Sequence, residues 1–421
     1  MSRSIITQQT PELLGQDNMR FIQHHQSAKS FRQAGFSLVE LMVGLVIGLL
    51  ATLAIMQIFS AFEGQKRTTS GTADAQTSGS VALYTLQRDV QLAGFGLPLY
   101  DEANMPLKCN APSYPVVDHD NNAATPNINM SAVDIINGAT ATDSDIVIVR
   151  YGASASGGVP VPVVGAPNAA LKRVTVNNNM ACFNADVVYA ITGNTCAATR
   201  VNDAGLVAPP TRTNYTTITL SSLPASIDDK TSLSCLTRWN EIRYQVDNTV
   251  ANNPQLARLD TFGNTALAPV VSGIVNVQAQ YGISASPTSN QITQWVNATG
   301  AWETKIDPVT GLYTKTPGNV SLTCNALNAN RNCIKAIRVA IVARNGLLEK
   351  LPAVSTACSS TTAANPTGVC AWDATSANPI VASPAPVIDL SSTANWNQYR
   401  YKVYETIIPM RNMVWTRERL S

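Results

Sequence analysis

The sequence predicts an α+β chain, with a long N-terminal helix followed by a β-rich head tied by disulfides. Three observations carry that prediction. Leu41 to Met56 reads LMVGLVIGLLATLAIM, without a single charge. Leu83, Leu86, Val90 and Ala93 then recur at the spacing of one helical face. Beyond about residue 99 the apolar residues fall into short β-branched or alternating runs, and all eight cysteines lie there.

The first element is apolar from Phe36 to Phe62, with Glu40 as its only ionisable residue. At about 1.5 Å per residue this segment reaches roughly 40 Å, enough for a bilayer core of about 30 Å. Lys29 and Arg32 precede it, while Lys66 and Arg67 follow closely, so charge asymmetry says little about orientation. A charge inside such a segment is costly and needs a reason. Gly44 and Gly48 form a small-xxx-small pair that permits close helix contact.

Residues 63–98 read as an amphipathic continuation of the helix. Gly64, Gly71 and Gly79 lower its intrinsic stability. Gly94-Phe95-Gly96-Leu97-Pro98 supplies the stop. Strands are expected at 146–149, 215–220, 242–246, 275–280, 334–344 and 401–408, where β-branched residues concentrate or alternate with polar ones. The Asn/Thr/Ser/Pro/Gly-rich stretches 99–130, 152–170, 193–214 and 353–395 read as surface loops. Residues 99–421 thus form the head, with 99–240 as a variable subdomain within it.

Composition narrows the function. A net charge of +2 argues against a dedicated nucleic-acid binder, and only 13% of residues are charged. Arg400, Lys402, Arg411, Arg417 and Arg419 interleave with Tyr399, Tyr401 and Trp415, but Glu405 and Glu418 dilute the patch, which reads as a solvated strand face. His24 and His25 lie ahead of the apolar segment, leaving His119 as the one histidine beyond it, so no nucleophile has a partner base. No Walker loop or dinucleotide fingerprint is present, and no enzyme is predicted. Asp118-His119-Asp120-Asn121-Asn122 lacks the glycine and distant glutamate of a calcium loop and reads as a polar turn. No CxxC pair suggests zinc; neither metal nor cofactor is expected.

Eight cysteines beyond an anchor read as disulfides. Short loops favour Cys182–Cys196, Cys324–Cys333 and Cys358–Cys370, which leaves Cys109 with Cys235.

Gln33-Ala34-Gly35-Phe36-Ser37-Leu38-Val39-Glu40 resembles the processing site of type IV prepilins: a glycine, a phenylalanine, and a glutamate at the fifth mature position. The resemblance implies that a prepilin peptidase removes residues 1–35, cutting between Gly35 and Phe36 and methylating the Phe36 amine. Met19 offers an alternative start for this long leader. Glu40 would pair with the N-terminal amine of a neighbouring subunit and set the axial register. Gln57 stands where many major pilins have a proline, as in many minor subunits.

Three further stretches resemble minor pilins of the PilW type. They are Leu86–Gly96 at the helix terminus, Val271–Gly282 in a central strand, and Tyr401–Asn412 in a closing strand with a Pro-x-Arg-Asn turn. The implied fold is pilin-like, with the second half of the long helix packed on an antiparallel sheet. The implied function is a low-copy subunit that joins other minor pilins in a complex priming pilus assembly and sits at the tip. Its implied partners are the peptidase, other minor pilins, the major pilin, the inner membrane and a tip adhesin; nucleic acid is not among them. The expected location is the inner membrane before assembly, with a periplasmic head, and the pilus afterwards. Two alternatives stay open: a minor pseudopilin of a type II secretion system, and a pilus-tip adhesin or DNA-receptor subunit using the 99–240 region.

Overall fold

The computed structural model describes residues 35–97, 131–140, 142–153, 159–178, 182–192, 195–203, 217–250, 253–261, 264–306, 313–315, 323–349, 367–372 and 385–414. Residues 1–34 of the leader, Cys109, Cys358, the 118–122 turn, Trp415, Arg417, Glu418 and Arg419 lie outside them. The chain divides into two compact units, residues 1–61 and 62–421.

One helix, α1, runs from Leu38 to Leu92 without a break. In the first unit its residues are exposed on every side, including Leu38, Leu45, Met56 and Phe59. This is the one helix among the described residues long and apolar enough to cross a membrane.

The second unit carries the rest of α1 and a set of antiparallel strands. In chain order these are β1 (Val133–Ile136), β2 (Ile146–Gly152), β3 (Val161–Pro162), β4 (Arg173–Thr175), β5 (Val187–Thr192), β6 (Thr195–Arg200), β7 (Thr217–Thr219), β8 (Ser232–Cys235) and β9 (Trp239–Asp247). They continue with β10 (Gln255–Asp260), β11 (Asn264–Ser272), β12 (Ile274–Ser284), β13 (Ile292–Val296), β14 (Thr304–Ile306), β15 (Tyr313–Lys315), β16 (Ile334–Arg344) and β17 (Tyr401–Pro409), before a single helical turn, α2 (Arg411–Val414).

Two sheets surround the helix. One has the order β1-β2-β9-β10-β11, the other β13-β12-β16-β17. Every residue of β16 is buried, which explains its near-continuous apolar sequence. The helical face expected from the sequence is the one used: Leu86, Val90 and Ala93 are buried in one cluster with residues of both sheets, among them Val149, Tyr244, Ile337 and Ile408. A second apolar cluster lies wholly within residues 161–235 and is built on β3-β8-β5-β6. β1 and β2 do not belong to it, since they pair into the sheet of β9.

The helix glycines do more than weaken it. Gly71, Ala75, Gly79 and Ala82 form a buried small-residue face ahead of Leu86. A Cβ on Gly79 would overlap the Tyr404 ring, and one on Gly71 would lie 2.9 Å from Asn345 Cβ. Gly64 meets nothing within 4 Å. The same change therefore has opposite expected signs at two sites. Gly64→Ala should stabilise by about 0.8–1 kcal/mol through helix propensity alone. Gly79→Ala should destabilise, because overpacking costs about 1–3 kcal/mol against that gain. Thermal unfolding of the full chain in detergent checks both signs, and equal shifts would contradict the close approach.

Candidate assembly site

The residues of the processing motif sit at the start of α1. Gly35, Phe36 and Ser37 precede the first helical turn, and the Leu41 amide donates to the Ser37 carbonyl at 3.1 Å. Glu40 falls in that first turn, where a carboxylate complements the helix dipole. Phe36 and Glu40 are both exposed. Phe36 and Glu40 thus lie close together in the chain at the start of an apolar helix, both exposed.

At its other end the helix is locked to the head by polar contacts. Asp89, 1% exposed, accepts from the Tyr244 hydroxyl at 2.7 Å and from Arg258 Nε at 3.1 Å. Burial first, then the Asp89 carboxylate, pushes the Tyr244 phenol far above its ordinary range. The Asn412 carboxamide donates to the carbonyls of Leu92 at 3.3 Å and Ala93 at 3.1 Å, closing the end of the helix. The Met410 amide donates to the Lys335 carbonyl at 2.9 Å. The Lys335 amine in turn donates to the carbonyls of Pro287 and Met413, and burial holds it down at about 8. The Pro-x-Arg-Asn turn is therefore the fastener of the long helix.

A buried charge cluster joins the strands beneath. Arg150 is fully buried; its Nε lies 2.6 Å from Glu241 Oε2 and its Nη1 lies 2.6 Å from Asp134 Oδ2. Arg331 approaches Asp134 from the other side at 3.7 Å. These contacts tie β1, β2 and β9 to the turn before β16.

Asp145, 2% exposed, bridges the two sheets: its carboxylate accepts from the amides of Gly138 and Ala279 at 2.9 and 2.8 Å. Burial raises it to about 6, outweighing those two hydrogen bonds. A carboxyl whose folded value lies above its unfolded value stabilises the fold at low pH. That contribution is fully present below the unfolded value and fades as pH rises through about 6. Urea midpoints from pH 4 to 7 should fall accordingly, and Asp145→Asn should flatten that slope; an unchanged slope would refute the assignment.

The disulfides correct part of the sequence expectation. Cys324 is bonded to Cys333 as expected, but Cys182 is bonded to Cys235, so neither Cys182–Cys196 nor Cys109–Cys235 forms. The reason is sheet topology. β5 pairs with β8, Val188 opposite Cys235, and this brings Cys235 beside the segment entering β5. Cys196 lies on β6 and is paired in register with Ile191. Cys370 is also disulfide-bonded. Loop length was a poor guide because strands return distant cysteines to one another.

Sequence reasoning missed Asp89, Tyr244, Arg258, Arg150 and Glu241. One signal was available: Asp134 and Arg150 each interrupt an apolar strand run, and a charge there needs a buried partner. Among the described C-terminal basic residues, Arg400 and Lys402 make separate contacts. Arg400 is paired with Glu349 at 2.8 Å, and Lys402 lies over the Tyr404 ring.

Comparison with known families gives two matches. Residues 243–412 match the family described as Type IV Pilus-assembly protein W. Residues 30–56 match the prokaryotic N-terminal methylation motif. No curated protein and no solved structure matches the chain. The first match spans β9 to α2, and so covers the sheet that receives the helix together with the turn that closes it. The second covers Gly35 and Phe36 and the start of α1.

Proposed function

We propose, from the match of residues 243–412 to the Type IV Pilus-assembly protein W family and of residues 30–56 to the N-terminal methylation motif, that this chain is a minor subunit that joins other minor pilins to prime a type IV pilus and remains at its tip. The observation that carries the reading is the lone carboxylate of Glu40 in the first turn of a helix otherwise exposed and apolar to Phe62. Prepilin peptidase cuts between Gly35 and Phe36 and methylates the new amine. Before assembly the helix spans the inner membrane with its N-terminus cytoplasmic and the head periplasmic. In the filament the apolar half leaves lipid for a bundle of like helices. There Glu40 loses its hydration and needs a cation, which the Phe36 amine of the next subunit supplies. The role is structural, not enzymatic.

Mass spectrometry of sheared, purified surface filaments tests this. The expected result is a peptide beginning at N-methylated Phe36, in trace amounts beside a major pilin. A chain that is processed yet confined to the envelope would contradict the tip position. Secretion defects on deletion, with normal pili, would move the protein to a secretion-system pseudopilus.

A further inference from the structure

We propose that the outer edge of β17 is the surface that receives a neighbouring subunit, by addition of an extended strand from a different pilin-type chain. The inference rests on the minor-pilin reading and goes beyond it by naming the contact.

β17 is the last strand of the β13-β12-β16-β17 sheet. Its nine residues pair with β16 in unbroken register, from Ala336 opposite Pro409 to Arg344 opposite Tyr401. Contacts just beyond each end of β17 fix which groups face inward. The Met410 amide donates to the Lys335 carbonyl and the Asn345 amide to the Arg400 carbonyl, so the even-numbered residues bond to β16. Val403, Glu405 and Ile407 then direct their amides and carbonyls outward, and no described residue bonds to them. Ile407 adds an apolar side chain, 55% exposed, on the same edge. The competing edges around the helix are poorer templates. β11 carries Pro269 and two register shifts, β13 a shift in five residues, and β1 only four residues.

The occupant is not a second copy of this chain. Along the helix, Gly71 lies against Asn345, Gly79 against Tyr404, and Ala93 against Asn412, so this half of α1 runs beside β17 in the same direction. Antiparallel pairing of two β17 strands would set these two halves of α1 antiparallel to one another, against the common direction that subunits of one filament share. Parallel in-register pairing would place Lys402 against Lys402 and Glu405 against Glu405, and like charges directly opposite are destabilising. The complementary partner carries a base opposite Glu405, an acid opposite Lys402 and an apolar residue opposite Ile407.

Glu405→Pro tests this directly. Proline there deletes an outward amide and sterically blocks the edge while leaving the inward ladder intact. Glu405→Ala keeps the amide and serves as the control. The full chain is isolated from membranes in mild detergent, and co-isolated pilin subunits are counted by mass spectrometry. Co-isolation should fall roughly tenfold for Glu405→Pro and stay within about twofold for Glu405→Ala, the loss expected of one or two main-chain bonds plus a clash. Equal co-isolation by wild type and Glu405→Pro would overturn the edge and leave the minor-pilin reading standing. No pilin subunit with the wild type would overturn both. Hydrogen exchange of the Val403, Glu405 and Ile407 amides in the wild-type complex gives a readout independent of how the proline variant folds. Slowed exchange supports the contact and unchanged exchange refutes it. Cross-links between copies of β17 would also refute it.

Discussion

Arg150→Met is expected to destabilise the head by about 3–5 kcal/mol, the usual cost of breaking a buried ion pair from one side. The guanidinium serves Asp134 and Glu241 at once, and all three groups are essentially sealed from water. Removing it takes this guanidinium from both carboxylates, while Asp134 keeps the Thr304 hydroxyl at 3.3 Å and the longer approach of Arg331. Two carboxylates in a low-dielectric interior then face each other across a hydrophobic side chain. The loss is electrostatic rather than one of volume, so it should be recoverable. Replacing Glu241 as well, in Arg150→Met/Glu241→Met, should regain a large part of the loss, because well-packed apolar groups of similar size often equal or exceed a buried pair. Urea unfolding of the full chain in detergent measures both variants. A single-variant loss below about 1 kcal/mol, or a double variant no better than the single, would show that the cluster is solvated or redundant.

Glu40→Gln should leave the peptidase cut intact and remove the chain from filaments. The proposed pairing with the Phe36 amine forms only where lipid headgroups no longer hydrate the carboxylate. Truncating one side of such a pair costs about 2–5 kcal/mol, which corresponds to at least a tenfold loss of incorporation. The amide is isosteric and neutral, so packing of the helix is unchanged and the effect isolates charge. Immunoblots of sheared filaments against membranes give the ratio. Normal incorporation of a correctly processed Glu40→Gln chain would end the register argument.

How far the sequence was legible depended on whether a feature is periodic or convergent. The helix from Leu38 to Leu92 and strands such as β2, β12, β16 and β17 follow from local patterns, because each residue reports its own exposure through its polarity. The glycines of α1 were read as local weaknesses, since nothing within the helix reveals that Tyr404 packs against Gly79. The pairing of Cys182 with Cys235 spans 53 residues and is set by strand order, which no spacing rule encodes. At the proposed site the division is the same. Gly35, Phe36 and Glu40 form a contiguous motif and could be read directly. Asp89, Tyr244 and Arg258 meet from separate elements, and only the fold shows that one carboxylate anchors both.

The bond from Asn412 to the Ala93 carbonyl joins positions 319 residues apart. The helix is synthesised before its fastener, because α2 follows every strand found among the described residues. During translation the end of α1 must wait for those 319 residues before it can be closed. Contacts of such separation are slow to form and expose their surfaces meanwhile. Completion of this joint therefore reports that the strands of the head have been made, and a chain terminated before Asn412 would carry the long helix on a head that never locks.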